Sequence, residues 1–136
     1  MSRISLLNII ENVFQPGVNQ AMREDLIGAV PLVTVLVAET TLTLDFTKNR
    51  FHVVELGSAN LTALNATVVN GKDSLKIGEE VFLKIIQDGT GARTVVFGTG
   101  ILTDVTISSS TDDIDILVGV FDGTNILLGA LAQNAT

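Results

Sequence analysis

One stretch constrains this chain more than any other: Glu79 to Phe97, where two β-favouring runs flank a glycine-rich turn. Val81, Leu83 and Ile85 occupy every second position, the spacing that puts side chains on one face of a pleated strand. Asp88-Gly89 and Gly91 follow, residue types that tolerate the positive φ of short hairpin loops. Thr94-Val95-Val96-Phe97 then restarts a run that favours strand. The stretch therefore predicts a β-hairpin with Asp88, Gly89 and Gly91 as its structural turn. Nothing in it has the form of an active site, so function has to come from what such a sheet assembles into.

The rest of the chain has the same bias. Val, Ile and Thr supply 43 of the 136 residues, and β-branched side chains pack well on a pleated surface while losing rotamer freedom in helices. An all-β fold is expected. The length suits one domain with one core. No apolar run approaches the ~18 residues of a membrane helix, yet 46 % of residues are hydrophobic and mean hydropathy is +0.48. That surplus predicts apolar surface hidden between subunits. A net charge of −7 with scattered Lys and Arg lacks the basic footprint of nucleic-acid binding. With no Cys there is neither a disulfide framework nor a thiolate metal site. The opening Met1-Ser2-Arg3-Ile4-Ser5-Leu6-Leu7 is too weakly charged and too interrupted for a secretory signal, and no such export is expected.

Residues 1–31 read differently from the remainder. Ile4, Leu7, Ile10 and Phe14 are spaced roughly as one helix face that stops before Pro16-Gly17, so this segment is expected to be a partly helical arm that packs on its own domain or anchors to a partner. From Val33 the period becomes two. Leu42, Leu44 and Phe46 alternate with polar residues, Lys48-Asn49 turns the chain, and Arg50 to Leu56 is expected to return beside it. A second hairpin is expected where Ile114, Ile116, Val118 and Val120 alternate, Asp122-Gly123 turns, and Ile126, Leu128 and Ala130 alternate again. Leu117, Phe121, Leu127 and Leu131 fall on its other face. Two apolar faces on one hairpin imply a second sheet on one side and a neighbouring subunit on the other, and these four residues are the expected subunit interface. About eight or nine short strands predict an antiparallel β-sandwich or jelly roll over residues 32–136.

Reactive groups are few. His52 is the only histidine and lies in a strand with Val54 and Leu56 on its face, which suits a structural role better than metal binding or catalysis. Ser108, Ser109 and Ser110 lie in a polar loop without the strand-turn-helix setting of a nucleophile elbow. Gly89-Thr90-Gly91 and Gly98-Thr99-Gly100 lack the spacing and Lys of a P-loop and read as turns. Asp104, Asp112, Asp113 and Asp115 could converge on calcium, but acidic residues at a strand start are more simply solvated. No enzyme, cofactor or metal is expected.

Two fragments, Ile86-Gln87-Asp88-Gly89-Thr90-Gly91-Ala92-Arg93-Thr94-Val95 and Ile116-Leu117-Val118-Gly119-Val120-Phe121-Asp122-Gly123-Thr124-Asn125, begin thirty positions apart. Both resemble the turns of a small β-rich domain of tailed-bacteriophage virion accessory proteins, such as tail-fibre domains, head fibres and decoration proteins. The likeness covers Leu42 to Leu131 and leaves out the arm. It implies a non-enzymatic structural protein located in the virion, a homotrimer whose arm, through Ile4, Leu7, Ile10 and Phe14, meets a major capsid or other virion protein. The resemblance also raises an alternative, a tail-fibre module that reads a host surface glycan. The absence of Trp and Tyr removes the usual aromatic platform for sugar rings, so assembly fits better than receptor reading.

Overall fold

The structure is a computed structural model and describes residues 30–135. The chain divides into two units, Met1–Val30 and Pro31–Thr136; the expected arm, with Ile4, Leu7, Ile10 and Phe14, lies outside the described residues. The second unit is all-β apart from one 3-10 turn at Gly71–Asp73. Its strands are β1 (Leu32–Val35), β2 (Thr41–Asp45), β3 (Phe51–Glu55), β4 (Leu61–Thr67), β5 (Glu80–Ile86), β6 (Val95–Phe97), β7 (Ile101–Leu102), β8 (Ile114–Phe121) and β9 (Ile126–Ala135). They form a curled six-stranded sheet, β1-β3-β5-β8-β9-β7, and a three-stranded sheet, β2-β4-β6.

From β1 to β6 the chain alternates between these sheets, odd strands in one and even strands in the other. β1, β3 and β5 are mutually parallel, and so are β2, β4 and β6. Only β5–β8 and β8–β9 are antiparallel, so the described sheets are largely parallel where antiparallel neighbours were expected. The Glu79–Phe97 hairpin does not form. β5 pairs with β3 and β8 while β6 pairs with β4 in the other sheet. Arg50 to Leu56 likewise does not return beside β2, because β3 lies in the other sheet.

The reason is physical. An alternating run, a turn and another alternating run suit a hairpin, where backbones bond across the turn. They suit equally an arch, where the chain crosses between layers and inward side chains meet instead. The corner between β2 and β3 is of the second kind. The Asp45 carboxylate accepts hydrogen bonds from the backbone and hydroxyl of Thr47, Asn49 Oδ1 accepts from Phe51 N at 2.9 Å, and the Arg50 guanidinium donates to the Phe46 carbonyl. Leu44 and Phe46 then meet Val54 and Leu56 in one core.

That core joins both layers. Leu44, Leu61, Leu64 and Ala66 come from the second sheet, Val54, Val81, Leu83, Ile85, Leu117, Ile126 and Leu128 from the first, and Leu56, Ile107 and Phe121 also belong to it. At one rim the backbone passes too close for any side chain. A Cβ on Gly57 would lie 2.3 Å from the Val37 carbonyl oxygen and 2.5 Å from that of Leu36, while Ser58 N donates to the same Val37 oxygen at 2.7 Å. Gly57→Ala is expected to cost about 1–3 kcal/mol, the usual cost of forcing a methyl into packed structure, read as a lower midpoint in urea at unchanged slope.

Candidate assembly face

Each sheet has one side on the core and one side turned outward, and the two outward sides differ chemically. On the second sheet the inward residues are Leu42, Leu44, Leu64 and Ala66, so alternation turns Thr41, Thr43 and Asp45 of β2 outward beside Ala63, Asn65 and Thr67 of β4. This side is mostly polar, with Ala63 and the exposed Val96 of β6 as its apolar members. Its threonines can be hydrated without a partner chain, and the Asn65 amide oxygen accepts from Thr99 N at 2.8 Å.

The outward side of the six-stranded sheet is the opposite. With Val54, Val81, Leu83, Ile85, Leu117 and Phe121 committed to the core, the alternate positions form registered rows across the strands. One row runs Val33, Val53, Lys84, Ile116 and Ala132, and the next Val35, Glu55, Ile86, Ile114 and Ala135. A third holds Phe51, Phe82, Val118 and Gly129, with the two phenyl centroids 6.0 Å apart. The rows are most open at their margins, where Val33 and Val35 are 52 % and 62 % exposed and Leu127 is 47 % exposed; toward the middle Phe82, Ile86, Ile114, Ile116 and Val118 are half-buried and Val53 is buried beneath its neighbours. Scattered surface hydrophobes are ordinary, whereas contiguous apolar rows mark a surface that meets something other than water.

The structure divides the four residues expected at a subunit boundary. Leu117 and Phe121 are 0 % and 4 % exposed and belong to the protein's own core, so no second chain can cover them. Leu127 and Leu131 are exposed. The side of β8 that looks outward carries Ile114, Ile116, Val118 and Val120, the set that alternation had assigned to the other face. The pattern offered two apolar faces and only the position of the second sheet decides between them. Leu131 sits where the β8–β9 register shifts, between Ala130 opposite Leu117 and Ala132 opposite Ile116. No family model, no curated protein and no solved structure matches the chain.

The turns have separate roles. Asp122 closes the β8–β9 hairpin: its Oδ1 accepts from Thr124 N at 2.8 Å and Asn125 N at 2.7 Å, and these bonds hold its carboxyl below the usual range. Gly123 takes φ +107° there. Asp88, Gly89 and Gly91 instead build a loop between layers. Gly91 N donates to the Asp88 carbonyl at 2.9 Å, Arg93 Nε donates to Asp88 Oδ2 at 3.1 Å, and Gly91 has φ +81°.

Two buried polar residues, Gln87, to which the sequence assigned no role, and Asp115, considered there only for calcium, fix the loops beneath this end of the sheet. Gln87 continues the inward series of Val81, Leu83 and Ile85. Its Nε2 donates to the carbonyls of Arg93 at 3.0 Å and Ser108 at 2.9 Å, and its Oε1 accepts from Asp88 N and Arg93 N at 3.0 and 3.1 Å. Asp115 opens the inward series of β8 and accepts from Ser108 N and Oγ, both at 2.6 Å. Ser108 thus has its N–H, hydroxyl and carbonyl all engaged, an anchor for the loop that follows β7. Asp113 accepts from Ser110 N at 3.1 Å, so two of the four aspartates considered for calcium serve internal bonds. Among the described residues no three metal-capable side chains converge. A polar residue at an inward position of an alternating strand was the available signal for both Gln87 and Asp115.

His52 is also inward and buried. Its Nε2 lies 3.1 Å from the Asp45 carbonyl, its ring stands edge-on to Phe46 at 4.7 Å, and Nδ1 has no hydrogen-bond partner. Burial pushes its pKa below the ordinary histidine value, against the opposing pull of the Asp45 and Asn49 backbone and the Asp45 charge. Above the unfolded value of about 6.5 neither state carries the proton. As pH falls below it, the unfolded chain binds the proton first, so stability declines until the folded form also protonates, with a slope from this residue of at most about 1.4 kcal/mol per pH unit. The stability gap between wild type and His52→Gln is therefore expected to narrow between about pH 7 and about pH 5, measured by urea denaturation along a pH series.

Proposed function

We propose that this chain is a non-enzymatic structural protein of a bacteriophage virion, a trimeric capsid decoration, head-fibre or tail-associated protein anchored to its particle by residues 1–31. The observation that carries the reading is the contrast between the two outward faces: threonine and asparagine predominate on one, valine, isoleucine and phenylalanine on the other. A chain whose sheet turns an apolar side away from its own core is built to be covered in an assembly. Each Å² removed from water there contributes roughly 25 cal/mol. The two layers, sharing one core, form a sandwich whose apolar side is turned toward the other copies. The phage setting rests on the resemblance of the Gln87–Val95 and Asp122–Asn125 stretches to virion accessory domains.

An arm that orders on docking forfeits ~2–5 kcal/mol of its gross interaction energy, and several linked copies recover affinity through effective concentration. Light scattering is expected to give a trimer for the full chain and for the chain without residues 1–31. Only the full chain is expected to sediment with particles. Mass spectrometry of gradient-purified particles from cells carrying this gene tests the location directly, and absence of the chain from such particles would overturn the virion reading.

A further inference from the structure

We propose that the outward face of the six-stranded sheet docks on a second copy of this chain, with Lys84 of one copy paired to Glu55 of the next; this rests on the self-assembly part of the reading above. The argument is one of charge. Lys84 is half-buried in a row between Val53 and Ile116, near the middle of the apolar field. Neither ion pair among the described residues, Arg50–Glu79 and Arg93–Asp88, involves it. Covering an unpaired ammonium costs several kcal/mol, so a purely apolar occupant does not suit this face. Two carboxylates share this face. Glu55 stands one row from Lys84, aligned with Ile86 and Ile114, and Glu80 stands two rows away at the exposed margin, opposite Val120. Neither belongs to those ion pairs, and Glu55, the nearer of the two and the one set among the apolar rows, is the partner assigned to Lys84.

The face therefore holds within itself the complement of its own central charge. A cation near the centre of the field and a carboxylate offset by one row make a surface that fits another copy of itself. Shifting or turning the second copy so that its Glu55 meets Lys84 keeps valine, isoleucine and phenylalanine opposite one another. Like charges would meet in any arrangement that stacked Lys84 on Lys84, and that cost selects the register.

The test is the mass of the full-length chain by light scattering over a dilution series, for wild type, Lys84→Glu, Glu55→Lys and the double variant Lys84→Glu/Glu55→Lys. Both side chains point away from the core, so all four proteins are expected to fold, checked by circular dichroism and thermal unfolding. Each single variant places like charges together and is expected to raise the dissociation concentration by about thirtyfold or more. The double variant restores opposite charges in every symmetry and is expected to regain the wild-type mass. An oligomeric wild type whose single variants keep that mass would overturn this interface while leaving self-assembly standing, and so would a double variant that stays dissociated. A wild type that is monomeric throughout would overturn self-assembly itself and assign the face to a different protein.

Discussion

Leu117→Ala is expected to lower folding stability by about 2–5 kcal/mol, whereas Leu127→Ala changes it by roughly 0.5 kcal/mol or less. The two leucines are ten positions apart on paired strands and have the same chemistry; position relative to the core separates them. Leu117 is fully enclosed among residues of both sheets, so truncation removes its transfer free energy and leaves a cavity that neighbours fill only in part. Leu127 faces outward opposite Val120, and its side chain has no cavity to leave. The expected effect of Leu127→Ala is instead on self-association. Urea denaturation at a concentration low enough that wild type and both variants are monomeric, needed because association shifts apparent stability, reads the first effect, and light scattering at higher concentration reads the second. Equal losses of stability in both variants would contradict the assignment of the two faces.

Gln87→Leu is expected to cost about 3 kcal/mol or more, although leucine has a similar size and suits a buried site. The substitution leaves Asp88 N–H, Arg93 N–H and the carbonyls of Arg93 and Ser108 without the amide that now satisfies them. A buried polar group left unsatisfied costs ~1–3 kcal/mol, and half-buried members of the set recover part of that from water. The loss is also expected to be local first. Hydrogen exchange at the Asp88 and Arg93 amides should accelerate before global unfolding does, since the loop opens once its clasp is gone. Gln133→Leu is the control. That glutamine is exposed and donates to the Thr106 carbonyl at 2.8 Å, and its removal is expected to stay within about 0.5 kcal/mol.

The strands themselves were legible because alternation is a local property. Val81, Leu83 and Ile85 on one face of β5 follow from a two-residue period, whatever lies on either side. The turn at Asp122-Gly123 was legible for a similar reason: β8 and β9 are neighbours in sequence and also in the sheet, so every pairing lies close along the chain. Gln87 and Asp115 left a readable trace, a polar residue in an inward series, but their partners in the loops did not.

The sequence by itself determined that this chain is strand-rich, where most strands begin and end, and that its apolar residues exceed what one exposed layer can hide. Only the tertiary structure decided which strands are neighbours and which apolar face looks outward. Leu32 pairs with His52 and Phe51 with Phe82, partners separated by a whole excursion through the other sheet, and no local pattern encodes such a distance. A hairpin and an arch demand the same turn residues, so Asp88-Gly89 cannot say whether the strands on either side will bond to each other or face each other across a core. The two sides of β8 are both apolar, and a period of two names the sides without ranking them. The ranking comes from the second sheet, which covers Leu117 and Phe121 and leaves Ile116 and Val118 on the far side, beside Lys84 and Phe82.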